Sequence, residues 1–160
     1  MVNATTLYRH PDIGRDQCPV ARTLELLGQK WTLLVLREAF YGTTRFGDFQ
    51  TNLEVPRPVL SDRLTLLVTH ELLLREPYQD AGQRVRQKYR LTQKGADLLP
   101  ALVALMQWGD HYLADRNGPS VSLLHRGCGA QVQAELRCAA EHSLKTAAEL
   151  EVLAGPGAKP

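Results

Sequence analysis

The stretch that most restricts the fold of this chain is residues 56–91, where a helical pattern runs directly into a basic hairpin pattern. Pro58 falls in the first turn of the helix, where a missing N–H leaves no bond unmade. Leu60, Leu64 and Leu67 follow at helical spacing with Val68 beside them, so one stripe can bury. The opposite side carries Arg57, Ser61, Asp62, Thr65 and Thr69. These are short or forked polar groups, suited to base edges and phosphates. Leu72–Pro77 and Val85–Leu91 then read as strands joined by Gln79-Asp80-Ala81-Gly82-Gln83, which has the Asp and Gly that a turn needs. The second arm carries Arg84, Arg86, Lys88 and Arg90. A polar-faced helix followed by a basic hairpin outlines a winged helix-turn-helix. The same residues also fit an ordinary surface helix and a solvated charged hairpin.

Charge placement bears on that choice. The 160 residues carry a formal net charge of only +2. Within them, residues 56–94 hold Arg57, Arg63, Arg75, Arg84, Arg86, Lys88, Arg90 and Lys94 against Asp62, Glu71, Glu76 and Asp80. The positive third coincides with the helix and hairpin, which favours a polyanionic partner. No run of about eighteen apolar residues occurs, so no membrane span is expected. The first seventeen residues lack the apolar segment of a secretory signal. Three widely spaced cysteines, Cys18, Cys128 and Cys138, argue against a disulfide framework and for a reducing compartment. The expected location is cytoplasmic.

Three segments are expected: an arm over 1–17, a core domain over 18–116 and an extension over 117–160. The arm is either disordered or laid across a partner subunit. Val20, Leu24 and Leu27 pattern a first helix that stops at Gly28. Cys18 lies at its start, where the helix dipole favours thiolate; the alternative is a small buried residue preceding a proline. The helix from Lys30 to Phe40 is apolar around most of its circumference, with Trp31 as an expected core anchor. Arg45 opens a short helix in which Phe46, Phe49 and Leu53 pack inward. That helix is the positioning helix, and Val55-Pro56 turns into the reading helix.

Thr92 is expected to cap one long helix, Thr92–Arg116. Its stripe of Leu98, Leu102, Leu105, Gly109 and Tyr112, widened by Leu99, Met106 and Leu113, exceeds what one small core needs. A subunit interface is favoured over packing on the extension. In the extension, Val121–His125 and Gln131–Leu136 read as a second hairpin. His125, Cys128, Cys138 and His142 have the residue types for tetrahedral zinc but lack paired C-x2-C motifs. A metal-free hairpin is the alternative, and no cofactor is required.

Cys18-Pro19-Val20, Gly28 through Glu38, Arg45-Phe46-Gly47-Asp48-Phe49, Leu60-Ser61-Asp62-Arg63-Leu64 and Tyr89-Arg90-Leu91-Thr92-Gln93-Lys94-Gly95 stand in an order and spacing that together resemble the HxlR-type regulators, a branch of the MarR-like winged-helix repressors. The resemblance implies a mostly α fold with a small antiparallel β wing, built as a homodimer from the first helix, the arm and the long helix. It implies two reading helices entering successive major grooves of a pseudo-palindromic operator. Cys18 matches a position that senses oxidants or electrophiles in several members. Residues 125–157 resemble an extension of longer members, although Cys138-Ala139-Ala140-Glu141-His142 departs from its second cysteine pair. Glu71 stands where the family usually has Gly, Thr65 where it usually has a basic residue, and Leu66 and Val68 at usually charged positions.

The expected function is sequence-specific transcription regulation as a repressor, with release by a thiol-reactive or small-molecule signal. Arg57, Ser61, Asp62, Arg63 and Thr65 are the base-reading candidates, Arg63 alternatively forming a salt bridge within the motif. Lys30, Arg45, Arg84, Arg86 and Lys88 are the backbone and wing candidates. The competing reading is a winged helix used for protein contacts without specific DNA binding. No H-E-x-x-H, G-x-S-x-G or phosphate loop is present in the sequence, so no enzyme activity is expected.

Overall fold

The fold was analysed in a computed structural model, which describes residues 17–157; most of the expected arm, residues 1–16, lies outside them. The chain divides into two compact units. The larger is Leu27–Ala134, and the smaller combines residues up to Leu26 with those from Glu135 onward.

In the larger unit, α2 (Lys30–Phe40), α3 (Phe46–Leu53) and α4 (Arg57–Thr69) precede β1 (Leu73–Tyr78) and β2 (Arg86–Leu91), followed by α5 (Gln93–Ala96) and α6 (Leu99–Leu113). The strands pair antiparallel, from Leu73 opposite Leu91 to Tyr78 opposite Arg86. A single bridge between Arg45 and Lys88 adds a rudimentary third strand. This is a winged helix-turn-helix, with β1 and β2 as the wing. In the smaller unit, α1 (Pro19–Leu27) opens the described chain, and β3 (Leu136–Arg137) pairs with β4 (Ser143–Leu144). A 3-10 turn over Ala147–Glu149 follows, closed by a capping box between Thr146 and Glu149.

The core is built from the stripes that the apolar spacing foretells. Val35, Leu36, Phe49, Leu60, Leu64, Leu67 and Leu73 are essentially inaccessible. Burying each such side chain stabilises the fold by about 1.5–3 kcal/mol. Trp31 is half-buried rather than a core anchor, and Lys30 lies over its ring at 4.8 Å. The core helix also carries a buried acid. Glu38 is 6% exposed and accepts from Arg37 at 2.8 Å, Asn52 at 2.9 Å and Thr43 at 3.3 Å. It thereby joins α2, the turn after it and α3.

Helix α4 ends in a Schellman arrangement. Leu72 N donates to Leu67 O at 2.8 Å and Glu71 N to Val68 O at 3.0 Å, with Glu71 in the left-handed region at φ 59°. Leu67 and Leu72 are both buried, giving the apolar contact that accompanies this cap. The Leu72 carbonyl then accepts from Thr92 N at 3.2 Å, and Thr92 Oγ1 donates to the neighbouring Glu71 carbonyl at 2.6 Å. Thr92 Oγ1 also caps α5, accepting from Gly95 N at 3.0 Å. A Cβ at Gly95 would fall on the Leu72 carbonyl oxygen, so this crossing requires glycine.

Two expectations are corrected. The long helix is broken into α5 and α6, with Leu98 N donating to Gly95 O in a tighter turn. Pro100 is the cause: it has no N–H for the Ala96 carbonyl and sits instead in the first turn of α6. The hairpin expected over Val121–His125 and Gln131–Leu136 shrinks to one bridge, Leu124 to Gln131, flanked by His125 N to Ala130 O and Val132 N to Leu123 O. Leu136 pairs with Leu144 instead. The Gln107 side chain on α6 holds this segment, donating to Val132 O and accepting from Ala134 N, both at 2.9 Å.

Glu71→Gly is expected to raise stability by about 0.5–1 kcal/mol by relieving the left-handed backbone. Gly95→Ala is expected to lower it by about 1–3 kcal/mol through overpacking; urea unfolding checks both. For Glu38, burial raises the carboxyl pKa, but hydrogen bonds from Arg37 and Asn52, the Arg37 charge and the Thr43 hydroxyl outweigh it. The net pKa lies below the ordinary 4.5. A depressed folded pKa contributes stability above the unfolded value that is lost as pH falls through the folded one. Glu38→Gln should therefore cost about 1.5–3 kcal/mol near neutral pH and flatten the loss of stability on acidification below 4.5, read by thermal melts across pH.

Candidate nucleic-acid interface

Helix α4 presents the polar face that its spacing implies. Leu60, Leu64 and Leu67 are buried, whereas Arg57, Ser61, Asp62, Thr65 and Thr69 are exposed. Arg57 lies over the Phe46 ring at 4.9 Å, which holds its guanidinium at the N-terminal end of the helix. Arg63 differs from the other base-reading candidates. It is half-buried, and its Nε is enclosed without a hydrogen-bond partner among the described residues. No ion pair joins it to another described residue.

Beside the start of α4 an open cleft of about 580 Å³ separates the helix-turn-helix from the wing. Arg57, Arg84 and Arg86 line it together with Phe46, Tyr78 and Tyr89. Three arginines, one on α4, one in the wing loop and one on β2, therefore line one groove. Tyr89 closes its inner side. Its N donates to Thr44 O at 2.7 Å, its ring meets Phe49 edge-on at 6.4 Å, and burial raises its phenol pKa against the opposing Arg75 charge.

The other backbone candidates are placed differently. Lys88 pairs with Glu76 at 3.4 Å. Both terminal nitrogens of Arg45 bond Asp80 in the wing loop, at 3.1 and 3.0 Å. Lys30, stacked on Trp31, does not line the cleft. The Arg45–Asp80 pair and the buried Glu38 were not foreseen. The Glu38 signal, an acid beside Arg37 in the otherwise apolar run from Leu33 to Phe40, was present in the sequence.

Cys18 is a free, half-exposed thiol immediately before Pro19, the first residue of α1. His125 Nδ1 lies 3.2 Å from Cys128 Sγ in the turn of the larger unit. Cys138 and His142 belong to the smaller unit, where Cys138 N donates to His142 O at 3.1 Å. Among the described residues no group of three or more His, Cys, Asp or Glu side chains is gathered as a metal site requires. No helix among them is long and apolar enough to cross a membrane.

Comparison with known proteins places this geometry. An HTH-type transcriptional regulator of Mycobacterium tuberculosis is 47% identical over 140 residues, spanning 88% of this chain and 87% of that protein. The crystal structure of PA1607, a candidate transcription factor, superposes with a TM-score of 0.75 at 38% identity, covering 85% of this chain and 94% of that one. The redox regulator HypR in its reduced form superposes with a TM-score of 0.53 at 26% identity, covering 59% of this chain and 92% of that one. The HxlR-like helix-turn-helix family model matches residues 26–117, and the chain belongs to that family of transcriptional regulators.

Proposed function

We propose that this chain is a homodimeric repressor that reads a pseudo-palindromic operator and is released by a thiol-reactive signal. The observation that carries the DNA reading is the cleft between α4 and the wing. A helix in the major groove and a wing in the adjacent minor groove straddle one sugar–phosphate strand. The cleft lined by Arg57, Arg84 and Arg86 lies where that strand would pass. Arg57, Ser61, Asp62 and Thr65 then face base edges. Arg63, half-buried with an enclosed Nε, is set apart from this exposed group.

Dimerisation is supported by α6. Leu105, Trp108, Tyr112 and Leu113 are 55–72% exposed on this helix, and the Trp108 and Tyr112 rings meet at a tilt with centroids 5.4 Å apart. Aromatic and leucine side chains grouped on one well-ordered helix are typical of an interface core. Release of DNA through Cys18 is supported by its position before α1 and by the likeness to a redox regulator. In this reading the Cys18 thiolate adds to a quinone carbon, forming a C–S bond, and the ring takes up a proton to become the hydroquinone adduct.

The test is quantitative binding to a duplex from the chain's own promoter region. Arg57→Ala is expected to weaken binding by about 1–3 kcal/mol and narrow the gap between specific and scrambled DNA. Arg86→Ala is expected to weaken both alike and lower the salt slope by about one. Unchanged binding in both variants would contradict the interface. Separately, p-benzoquinone is expected to release the wild-type protein from the duplex but not Cys18→Ser. Equal release of both would remove Cys18 as the sensor.

A further inference from the structure

The wing is anchored at its root by backbone bonds, through the Arg45–Lys88 bridge and the bond from Tyr89 N to Thr44 O. Its tip, residues 79–85, lies beyond those bonds. Within the tip, Gln83 N donates to Asp80 O at 3.0 Å and Gln79 Nε2 to Gln83 O at 2.7 Å, so the loop holds its own shape. These bonds do not fix where that shape points. The Arg45 side chain does reach it: Nη1 and Nη2 donate separately to the two Asp80 oxygens, at 3.1 and 3.0 Å, and the guanidinium lies 4.7 Å from the centre of the Tyr78 ring. Tyr78 in turn sits opposite Arg86 in the strand register.

We propose that Arg45 is the positioning residue of the wing, latching its tip through Asp80 to the start of the helix-turn-helix and so setting where Arg84 and Arg86 meet DNA. The proposal rests on the DNA-binding reading above and revises one part of it, because Arg45 then acts on Asp80 instead of on a phosphate. Two considerations favour the latch. First, a carboxylate at the tip of a DNA-facing wing repels phosphates, so its presence needs a role that outweighs the repulsion. Second, the pair is close to half exposed, at 48% and 37% of the two side chains. Such a pair contributes little to global stability. A two-pronged guanidinium–carboxylate contact nevertheless fixes direction, since both bonds are satisfied together in one relative orientation. The aromatic ring beneath it removes the remaining freedom to swing.

The experiment compares full-length wild type, Arg45→Ala, Asp80→Ala and the double variant. Without DNA, hydrogen exchange over residues 79–86 is expected to rise about threefold or more in each single variant and no further in the double. On a duplex that the wild type selects from random-sequence DNA, Asp80→Ala is expected to bind about five-fold more weakly, although it removes a negative charge. Arg45→Ala should weaken binding by a similar factor with its log–log salt slope unchanged, because Arg84 and Arg86 still reach their phosphates in the complex and only the ordering of the tip beforehand is lost. Tighter binding by Asp80→Ala, or a salt slope reduced by about one in Arg45→Ala, would overturn the latch and return Arg45 to the phosphate-binding set. Unchanged exchange in both single variants would overturn it without reference to DNA. Were the wild type to select no duplex, the DNA reading would fall, and the exchange result would still decide the latch.

Discussion

The backbone of Leu72 is the point on which the rest of the structure depends. Its N–H closes the cap of the reading helix on Leu67 O, and its carbonyl accepts from Thr92 N while the Thr92 hydroxyl donates to the adjoining Glu71 carbonyl. Its side chain is buried, and Gly95 packs against it without a Cβ. Four elements therefore meet at one residue: the end of α4, the start of β1, the end of β2 and the first turn of α5. A displacement there would change the angle between helix and wing together. That is why a non-glycine residue at φ 59° is retained at position 71. The strain of about 1–2 kcal/mol is outweighed by the apolar burial and hydrogen bonds that converge one residue later.

The second constraint is electrostatic. A buried Glu38 with three hydrogen-bond donors around it, one of them the charged Arg37, orients α2 against α3, and a half-exposed Arg45–Asp80 pair directs the wing tip. The two act differently. The first is enclosed, so removing a partner would strand a carboxylate in the core. The second is screened by solvent and contributes direction more than stability. Of the cations in residues 56–94, those not drawn into pairs with Glu76, Asp80 or Glu71 include Arg57, Arg84 and Arg86, and these converge on the cleft. A near-neutral chain can thus present a concentrated positive groove.

Much of this was legible in the sequence, for definite reasons. Leucines at 60, 64 and 67 force one face of α4 inward and leave Arg57, Ser61 and Thr65 outside. Alternation and the Asp80–Gly82 turn give the wing to within a residue or two. What was missed depends on side chains meeting across long separations. Arg45 and Asp80 are 35 positions apart, and nothing in either neighbourhood signals the other. Arg45 looked like a free phosphate ligand because local pattern shows charge, not pairing. The break between α5 and α6 was written in Pro100 but obscured by continuous apolar spacing on both sides. In the extension, many apolar residues are alanines, aromatic residues are lacking and strands are only two residues long, so period-two reasoning had little to work on.

The most direct test of the central claim, that α4 and the wing form one DNA-reading surface, is the affinity of the wild-type protein for its own promoter duplex and for a scrambled duplex across a salt series. The account predicts a clear preference for the promoter sequence. It also predicts a log-linear loss of affinity with salt on both duplexes, with a slope of several units reflecting the cleft arginines in two copies. Equal affinity for the two sequences, or binding indifferent to salt, would contradict it.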